Sequence, residues 1–455
     1  MSVLVEKTDF SLKMVNRYNA VKDRLFKNSP TLLNESRKKA LQDFILQGIP
    51  TPKNENYKYT NLQPLFFPEY SFNIDREDSD LDIQKVFSCN VPQLDTHLVF
   101  NRNGWFLDGD SSQSLPEGMI IESLRKIAAT RPELITNFYS RLALTEEDPM
   151  VALNTALATD GFVIWVPAHT QVKKAIQVIN LMQEPSDSLI TQRNLILVNP
   201  GAELTVLVCD HTLNSIKYLK NTVTETFVGE NAHLHYYTIQ NQHNNSASIN
   251  SLVIDQQKDS TVRTHTTTLH GGLIRNNLKV ILNGEKSQSD IFGIAFMDRK
   301  QHIDNYTRII HKEPHCQSTQ LYKNVMDDQS TGAFSGLIHV LRDAQKTQAF
   351  QRNNNLLLTD QAKVQTKPQL IIDADDVKCS HGATIGQMDE EALFYIRSRG
   401  IAEKDARLMM MNAFAHEVIQ EIKLEPLRNR IDDLVDKRLR GEIARCHDCT
   451  YDCEN

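Results

Sequence analysis

Small side chains recur at a nearly constant interval through the middle of the 455-residue chain. Ala202, Ala232, Ser260, Ser287, Cys316 and Ala344 follow turn-forming stretches such as Pro200-Gly-Ala-Glu203, Glu230-Asn-Ala-His233 and Arg342-Asp-Ala-Gln345, at spacings of 30, 28, 27, 29 and 28 residues. A period of roughly 20–50 residues is the mark of stacked architectures, in which each repeat buries a face on the next. Short β-branched runs fill the intervals: Thr96–Phe100, Gly161–Val166, Ile176–Leu181, Asn194–Val198, Leu204–Val208, Thr222–Phe227, Leu234–Ile239, Val262–Leu269, Leu278–Leu282, Gly336–Val340 and Leu370–Ile372. No helical pattern of useful length interrupts residues 190–385, so crossover helices are not expected. A β-sandwich would turn every ~8–12 residues without the longer period. The pattern predicts a parallel β-helix.

The flanks differ in texture. Residues 11–48 read as helix, with a polar start at Asn34-Glu-Ser-Arg-Lys-Lys39, Leu41, Phe44, Ile45 and Gly48 at helical spacing and a stop at Gly48, Pro50 and Pro52. An aromatic, charged connector, Lys53-Asn-Glu-Asn-Tyr-Lys-Tyr-Thr-Asn-Leu62, leads into a mixed stretch to about residue 95. After residue 388 the pattern is helical again. Asp389, Glu390 and Glu391 stand at a helix start, Arg397 and Arg399 near its end, and Gly400 just beyond. A second helix places Ala406, Met409, Met410, Ala413, Phe414 and Val418 on one face, and Pro426 opens a third with Leu427, Ile431, Leu434 and Leu439. Methionine-lined faces adapt to partners, so this end of the chain is a candidate docking surface. The expected organisation is therefore an N-terminal helical and mixed domain (1–95), a β-helix core (96–387), a C-terminal helical domain (388–445) and a cysteine-rich tail (446–455).

Several function classes are excluded. A formal net charge of −7 without a Lys/Arg-rich run gives no footprint for nucleic acid. No stretch reaches the ~18 apolar residues of a membrane span, and the N-terminus turns polar before a signal-type core forms, so a soluble cytoplasmic protein is expected. Phosphate-cradling and dinucleotide-binding glycine loops, a nucleophile elbow and a His-Glu-x-x-His zinc helix are all missing from the sequence. A flavin is left open but unsupported by the sequence, and the expectation is a non-enzymatic protein.

One segment gathers metal-binding side chains. Asp373-Ala-Asp-Asp-Val-Lys-Cys-Ser-His-Gly-Ala-Thr384 sets Cys379 and His381 two residues apart, which on a strand puts both on one face and Ser380 on the other. Thiolate beside imidazole is half of a transition-metal or iron–sulfur ligand set. By itself the pair fits better as a buried cysteine next to a hydrogen-bonded histidine. Other candidates are less specific: His233 and His235, His265, His270, His302, His311 with His315 and Cys316, and His339. Cys446, Cys449 and Cys453 with His447 form a terminal cluster without a second half-site.

Lys363–Gly400 as a whole, with Thr366-Lys-Pro-Gln-Leu370, the Cys-Ser-His-Gly-Ala-Thr run and Asp389-Glu-Glu-Ala-Leu-Phe-Tyr-Ile-Arg-Ser-Arg-Gly400, resembles the SufB/SufD family of iron–sulfur cluster assembly proteins, on its SufD side. Asp343-Ala-Gln-Lys-Thr-Gln-Ala-Phe-Gln351, Asn355-Leu-Leu-Leu358, Ala152–Leu157 with Asp160-Gly161, and Gly48–Thr60 are similar to the same family, so the resemblance spans about residues 40–430. It implies a right-handed parallel β-helix flanked by helical domains. It further implies a scaffold that pairs through the β-helix with a SufB paralogue and through its C-terminal helices with the SufC ATPase, or with itself in isolation. His381 then corresponds to an interface ligand for iron or a nascent iron–sulfur cluster shared with SufB, with Cys379 beside it and the His381 tautomer fixed by a neighbour. The alternatives are a SufB-like principal cluster carrier and a β-helix carbohydrate-active enzyme, which needs acidic and basic side chains along one groove. The tail after residue 445 is not part of the pattern.

Overall fold

The repeated small residues mark the corners of successive coils, from that between strands Ser188–Val198 and Glu203–Thr212 to that between Thr331–Val340 and Gln348–Leu357. In the computed structural model, which describes residues 2–27, 29–76, 94–107 and 115–442, Ala202, Ala232, Ser260, Ser287, Cys316 and Ala344 are all completely buried. Five of them directly follow a residue in the left-handed region: Gly201, Asn231, Asp259, Lys286 and His315, with φ of 69°, 54°, 54°, 60° and 61°. Such a residue reverses the chain sharply, and only a small side chain fits where the backbone folds back onto the core. The N–H of each reversing residue donates to a carbonyl of the next coil: Gly201 to Glu230 (2.8 Å), Asn231 to Lys258 (2.9 Å), Asp259 to Glu285 (2.9 Å), Lys286 to Pro314 (3.2 Å) and His315 to Gln345 (2.8 Å). The corner is thus a backbone ladder, and the sequence period is its rise.

Two stacks of parallel strands run from this corner. The first contains β5 (Phe162–Val166), β7 (Ser188–Val198), β9 (Tyr218–Val228), β11 (Ala247–Gln256), β13 (Leu273–Leu282), β15 (His302–His311), β17 (Thr331–Val340) and β19 (Lys363–Ile372). The second contains β2 (Thr96–Arg102), β6 (Ala175–Met182), β8 (Glu203–Thr212), β10 (His233–Asn241), β12 (Thr261–His270), β14 (Gln288–Met297), β16 (Gln317–Met326), β18 (Gln348–Leu357) and β20 (Lys378–Gln387). Short strands β1 (Ser71–Phe72), β3 (Trp105–Leu107) and β4 (Ile120–Ser123) trim the first coils, β1 parallel to β7, β3 antiparallel to β2 and β4 antiparallel to β5. The parallel β-solenoid expected from the repeat is the fold.

Its interior has two zones. Near the corner it is apolar, with Ile176, Val206, Leu234, Ile254, Val280 and Ile309 among one cluster. Further along the strands it is polar and hydrogen-bonded: Asn101 donates to Asn180 (3.0 Å), Asn180 to Asp210 (2.8 Å), and buried Lys220 pairs with Asp210.

Helices cover the outer faces. The predicted helical stretch over 11–48 holds two helices, α1 (Ser2–Lys27) and α2 (Thr31–Gln47), because Pro30 stands at the boundary with extended dihedrals. Helices α3 (Leu124–Thr130) and α4 (Pro149–Leu157) follow, and α2 and α4 pack with Leu189, Leu219 and Ile249 of the first stack. At the other end α5 (Glu390–Ser398), α6 (Glu403–Ile419) and α7 (Glu425–Arg440) close the described chain. Leu408, Met411, Ala415, Val418, Ile419, Ile422, Leu427, Ile431 and Val435 pack onto Leu207, Ile239, Phe292, Ile294 and Leu321, on the outer face of the second stack. The helical face expected from the sequence is rotated from this one: Ala406 and Val418 are buried, but Met409 and Ala413 are exposed. The buried stripe follows the sheet it meets, at i, i+3 and i+7 from Leu408.

Candidate functional site

Cys379 and His381 lie on β20, the last strand of the second stack. Its register sets Cys379 beside Ala349, Ser380 beside Phe350 and His381 beside Gln351. Ala349 and Gln351 are 0% and 1% exposed whereas Phe350 is 42% exposed. Cys379 and His381 therefore continue the interior column, and Ser380 belongs to the outer face, as the strand spacing predicts. No described strand pairs with the far edges of β19 or β20. Side chains of the interior column that would be buried one coil earlier emerge here into the open.

The two residues differ in consequence. Cys379 still packs against the apolar column, and this partial burial pushes its thiol up from the ordinary cysteine value. His381 is exposed, and no described residue hydrogen-bonds its ring, so the neighbour expected to fix its tautomer does not do so in this arrangement. Around the pair, His339 meets Asp373 (2.9 Å) and Lys346 pairs with Asp376. Ile371, Ile372 and Ile385 are exposed on the same terminal coil. An unpaired strand edge flanked by bare isoleucines is a template for another chain.

Of the remaining histidine candidates, His265, His270, His302 and His311 are buried or nearly so. Burial pulls His265, His270 and His311 down to about 4, 3 and 4, keeping them neutral. His265 Nε2 contacts the Val418 carbonyl (3.2 Å), His311 Nε2 the Ser318 hydroxyl (2.9 Å), and His302 Nε2 the Thr60 hydroxyl (2.8 Å). Among the described residues no group of three or more His, Cys, Asp or Glu side chains is arranged to hold a metal. The Cys446–Cys453 cluster and Cys89 lie outside the described residues.

Two features carried no role in the sequence reading. The connector around Tyr57 is a strap across the first stack. Tyr57 donates to both Asp148 oxygens (2.9 and 2.8 Å), buried Arg275 pairs with Asp304 and donates to the Asn56 carbonyl (2.6 Å), and its guanidinium lies 4.0 Å from the Tyr57 ring centre. Glu55 pairs with Lys367 on β19, so the strap reaches the terminal coil. The second is a groove of about 1060 Å³ along the opposite corner, where Arg299 and Lys300 face Asp328 and Asp360. It has the mixed charge an enzyme groove requires, but both carboxylates serve the turns: Asp328 accepts from the Arg299 N–H (3.0 Å) and Asp360 from the Gln387 amide (3.0 Å).

Comparison with known proteins identifies the solenoid. The model of the SufBD core domain of SUF-system FeS cluster assembly matches residues 180–414, more than half the chain, and that of the SufBD N-terminal region matches residues 9–178. The chain belongs to the SufBD family. It is 30% identical to an iron-sulfur cluster assembly SufBD family protein of Synechocystis over 86% of this chain and 87% of the relative. The iron-sulfur cluster assembly protein SufD of Escherichia coli is 29% identical over 94% of this chain and 98% of its own length. For Bacillus subtilis SufD the identity is 24%, over 90% and 95%. As a SufBD family member, the chain is a component of iron–sulfur cluster assembly, which removes the ground for a carbohydrate-active enzyme. No described helix is long and apolar enough to cross a membrane.

Proposed function

We propose that this chain is a SufD-type scaffold of the cytoplasm, not itself an enzyme, whose terminal coil supplies half of a site for iron or a nascent iron–sulfur cluster. The cluster is cargo rather than a resident cofactor. The observation that carries the reading is the position of His381: an interior-column residue left exposed at an open strand edge. A partner strand laid along β20 would cover it. The natural partner is a SufB-type paralogue with the same solenoid, matching edge to edge.

The cysteines support a shared site. Of those described, Cys209 and Cys316 are buried and Cys379 is half-buried with its thiol pushed up. A cluster needs thiolates, and these three described cysteines are poorly placed to supply them, which favours the partner as the main source of sulfur ligands. His381 adds an imidazole nitrogen; Cys379 joins if the partner's charge lowers its thiol. The ATPase of the SufC type docks on the C-terminal helices, where Phe394, Tyr395 and Met409 are exposed.

The test is reconstitution of the complex of this chain with its SufB-type and SufC-type partners. His381→Ala lowers the cluster yield while the complex still assembles; unchanged yield refutes the reading. A stable cluster on this chain alone would favour the SufB-like carrier instead.

A further inference from the structure

Gln351 is the in-register neighbour of His381, one strand inward on β18. It is 1% exposed and belongs to a directed chain of side-chain amides. Gln320 Nε2 donates to the Thr307 hydroxyl (2.7 Å), and Gln351 Nε2 donates to Gln320 Oε1 (2.6 Å). The Gln351 donor points back to the preceding coil, while the Gln320 donor crosses the solenoid to β15 within its own coil. Continued by one coil, the pattern would give Gln351 Oε1 a donor from position 381. That oxygen is buried and has no partner. The amide is also held in place from across the solenoid. Gly336 leaves a notch there, and a Cβ at that position would lie 2.1 Å from Gln351 Nε2 and 2.8 Å from the Phe334 ring.

In-register side chains on neighbouring parallel strands leave the same face about 4.8 Å apart. A rotation of the exposed His381 side chain therefore brings a ring N–H to the vacant acceptor, and a buried acceptor without a donor is costly to leave so. We propose that Gln351 is a positioning residue for His381: its side-chain carbonyl takes one ring N–H and leaves the other nitrogen bare, aimed out of the open end. This supplies, one strand inward, the tautomer-fixing neighbour that a ligand histidine requires. The inference rests on His381 being the site residue, but its test does not need a cluster.

The experiment uses the full-length chain carrying ¹⁵N-labelled histidine, at a pH where free imidazole is neutral, with His381→Ala assigning the signal. The wild type holds predominantly one tautomer. Gln351→Met, which removes the acceptor at similar volume, shifts the tautomer ratio by about five-fold, the ratio that one ordinary net hydrogen bond carries. Gln351→Glu, which keeps an acceptor oxygen, restores the wild-type preference. If Gln351→Met fails to fold by circular dichroism, Gln351→Asn withdraws the carbonyl by one methylene and reads the same shift. An identical ratio in the wild type and the acceptor-removing variant overturns the proposal. Should His381→Ala leave cluster yield unchanged while Gln351→Met still shifts the tautomer, the functional reading falls and the positioning role stands.

Discussion

Arg275→Met is the substitution that tests most sharply how the strap is held. The guanidinium is buried, ion-paired to buried Asp304, bonded to the Asn56 carbonyl and stacked on Tyr57. Methionine fills much of the volume but leaves Asp304 as a buried carboxylate without its counter-charge. Breaking a buried pair from one side costs about 3–5 kcal/mol, and loss of the Tyr57 contact adds up to about 1–2 kcal/mol. The Thr60 hydroxyl still donates to Asp304 once the guanidinium is gone, which keeps the loss at the lower end of the range, about 4 kcal/mol. Solenoids unfold by neighbouring repeats rather than all at once, so the loss is local. Hydrogen exchange at the Tyr57 and Thr60 amides should accelerate by about a thousand-fold, 1.4 kcal/mol being a factor of ten, if these amides exchange through opening of the strap. Asp304→Asn in the same chain removes the stranded charge and recovers about 1–3 kcal/mol. Unchanged exchange in Arg275→Met, or a double variant no better than the single one, would refute the argument.

Two other outcomes follow from the packing. His265, His270 and His311 are held down near 4, 3 and 4 by burial and titrate near 6.5 once unfolded. Between those values the unfolded chain binds more protons, so their contribution to stability is full above pH 6.5 and is lost as pH falls through 6.5 to about 4. Asp160, raised by burial to about 6, acts oppositely between about 6 and 4. His311→Asn isolates the histidine part: the urea midpoint should fall less steeply between pH 7 and 5 than in the wild type, and an equal slope contradicts the assignment. At the C-terminal helices, Phe394→Ser with Tyr395→Ser should weaken capture of the SufC-type ATPase at least ten-fold while the thermal midpoint stays within about 2 °C. Truncation would be a poorer probe, because α6 and α7 cover Leu207, Phe292 and Leu321 on the solenoid. Full-strength capture by the double variant places the docking surface elsewhere.

The repeat was readable because a left-handed turn followed by a buried Cβ tolerates only small residues, whichever coil it occurs in. The strands missed by hydropathy, such as Ala247–Gln256, Gln317–Met326 and Gln348–Leu357, carry Asn, Gln and Ser inward. In a polar interior the alternation of apolar and polar residues no longer marks the core. For α6 the sequence pointed to a stripe through Met409 and Ala413, and only the sheet beneath the helix selects the one through Leu408, Met411 and Ala415. The pairing of Cys379 with His381 on one face followed from strand period alone. What covers them did not, because Gln351 becomes a neighbour of His381 only through the register of β18 and β20. The strap was equally hidden: its Tyr57 connector looked like a linker, and Arg275 meets Asn56 across 219 residues.

The central claim is that a nitrogen of this chain's terminal coil binds cargo held mainly by a partner. Pulsed electron paramagnetic resonance of the reduced cluster in the reconstituted complex, with only this chain carrying ¹⁵N-labelled histidine, reads that bond directly. The account predicts a ¹⁵N hyperfine coupling from this chain that vanishes in His381→Ala. A cluster formed in full yield, without any ¹⁵N coupling from the labelled chain, would contradict it.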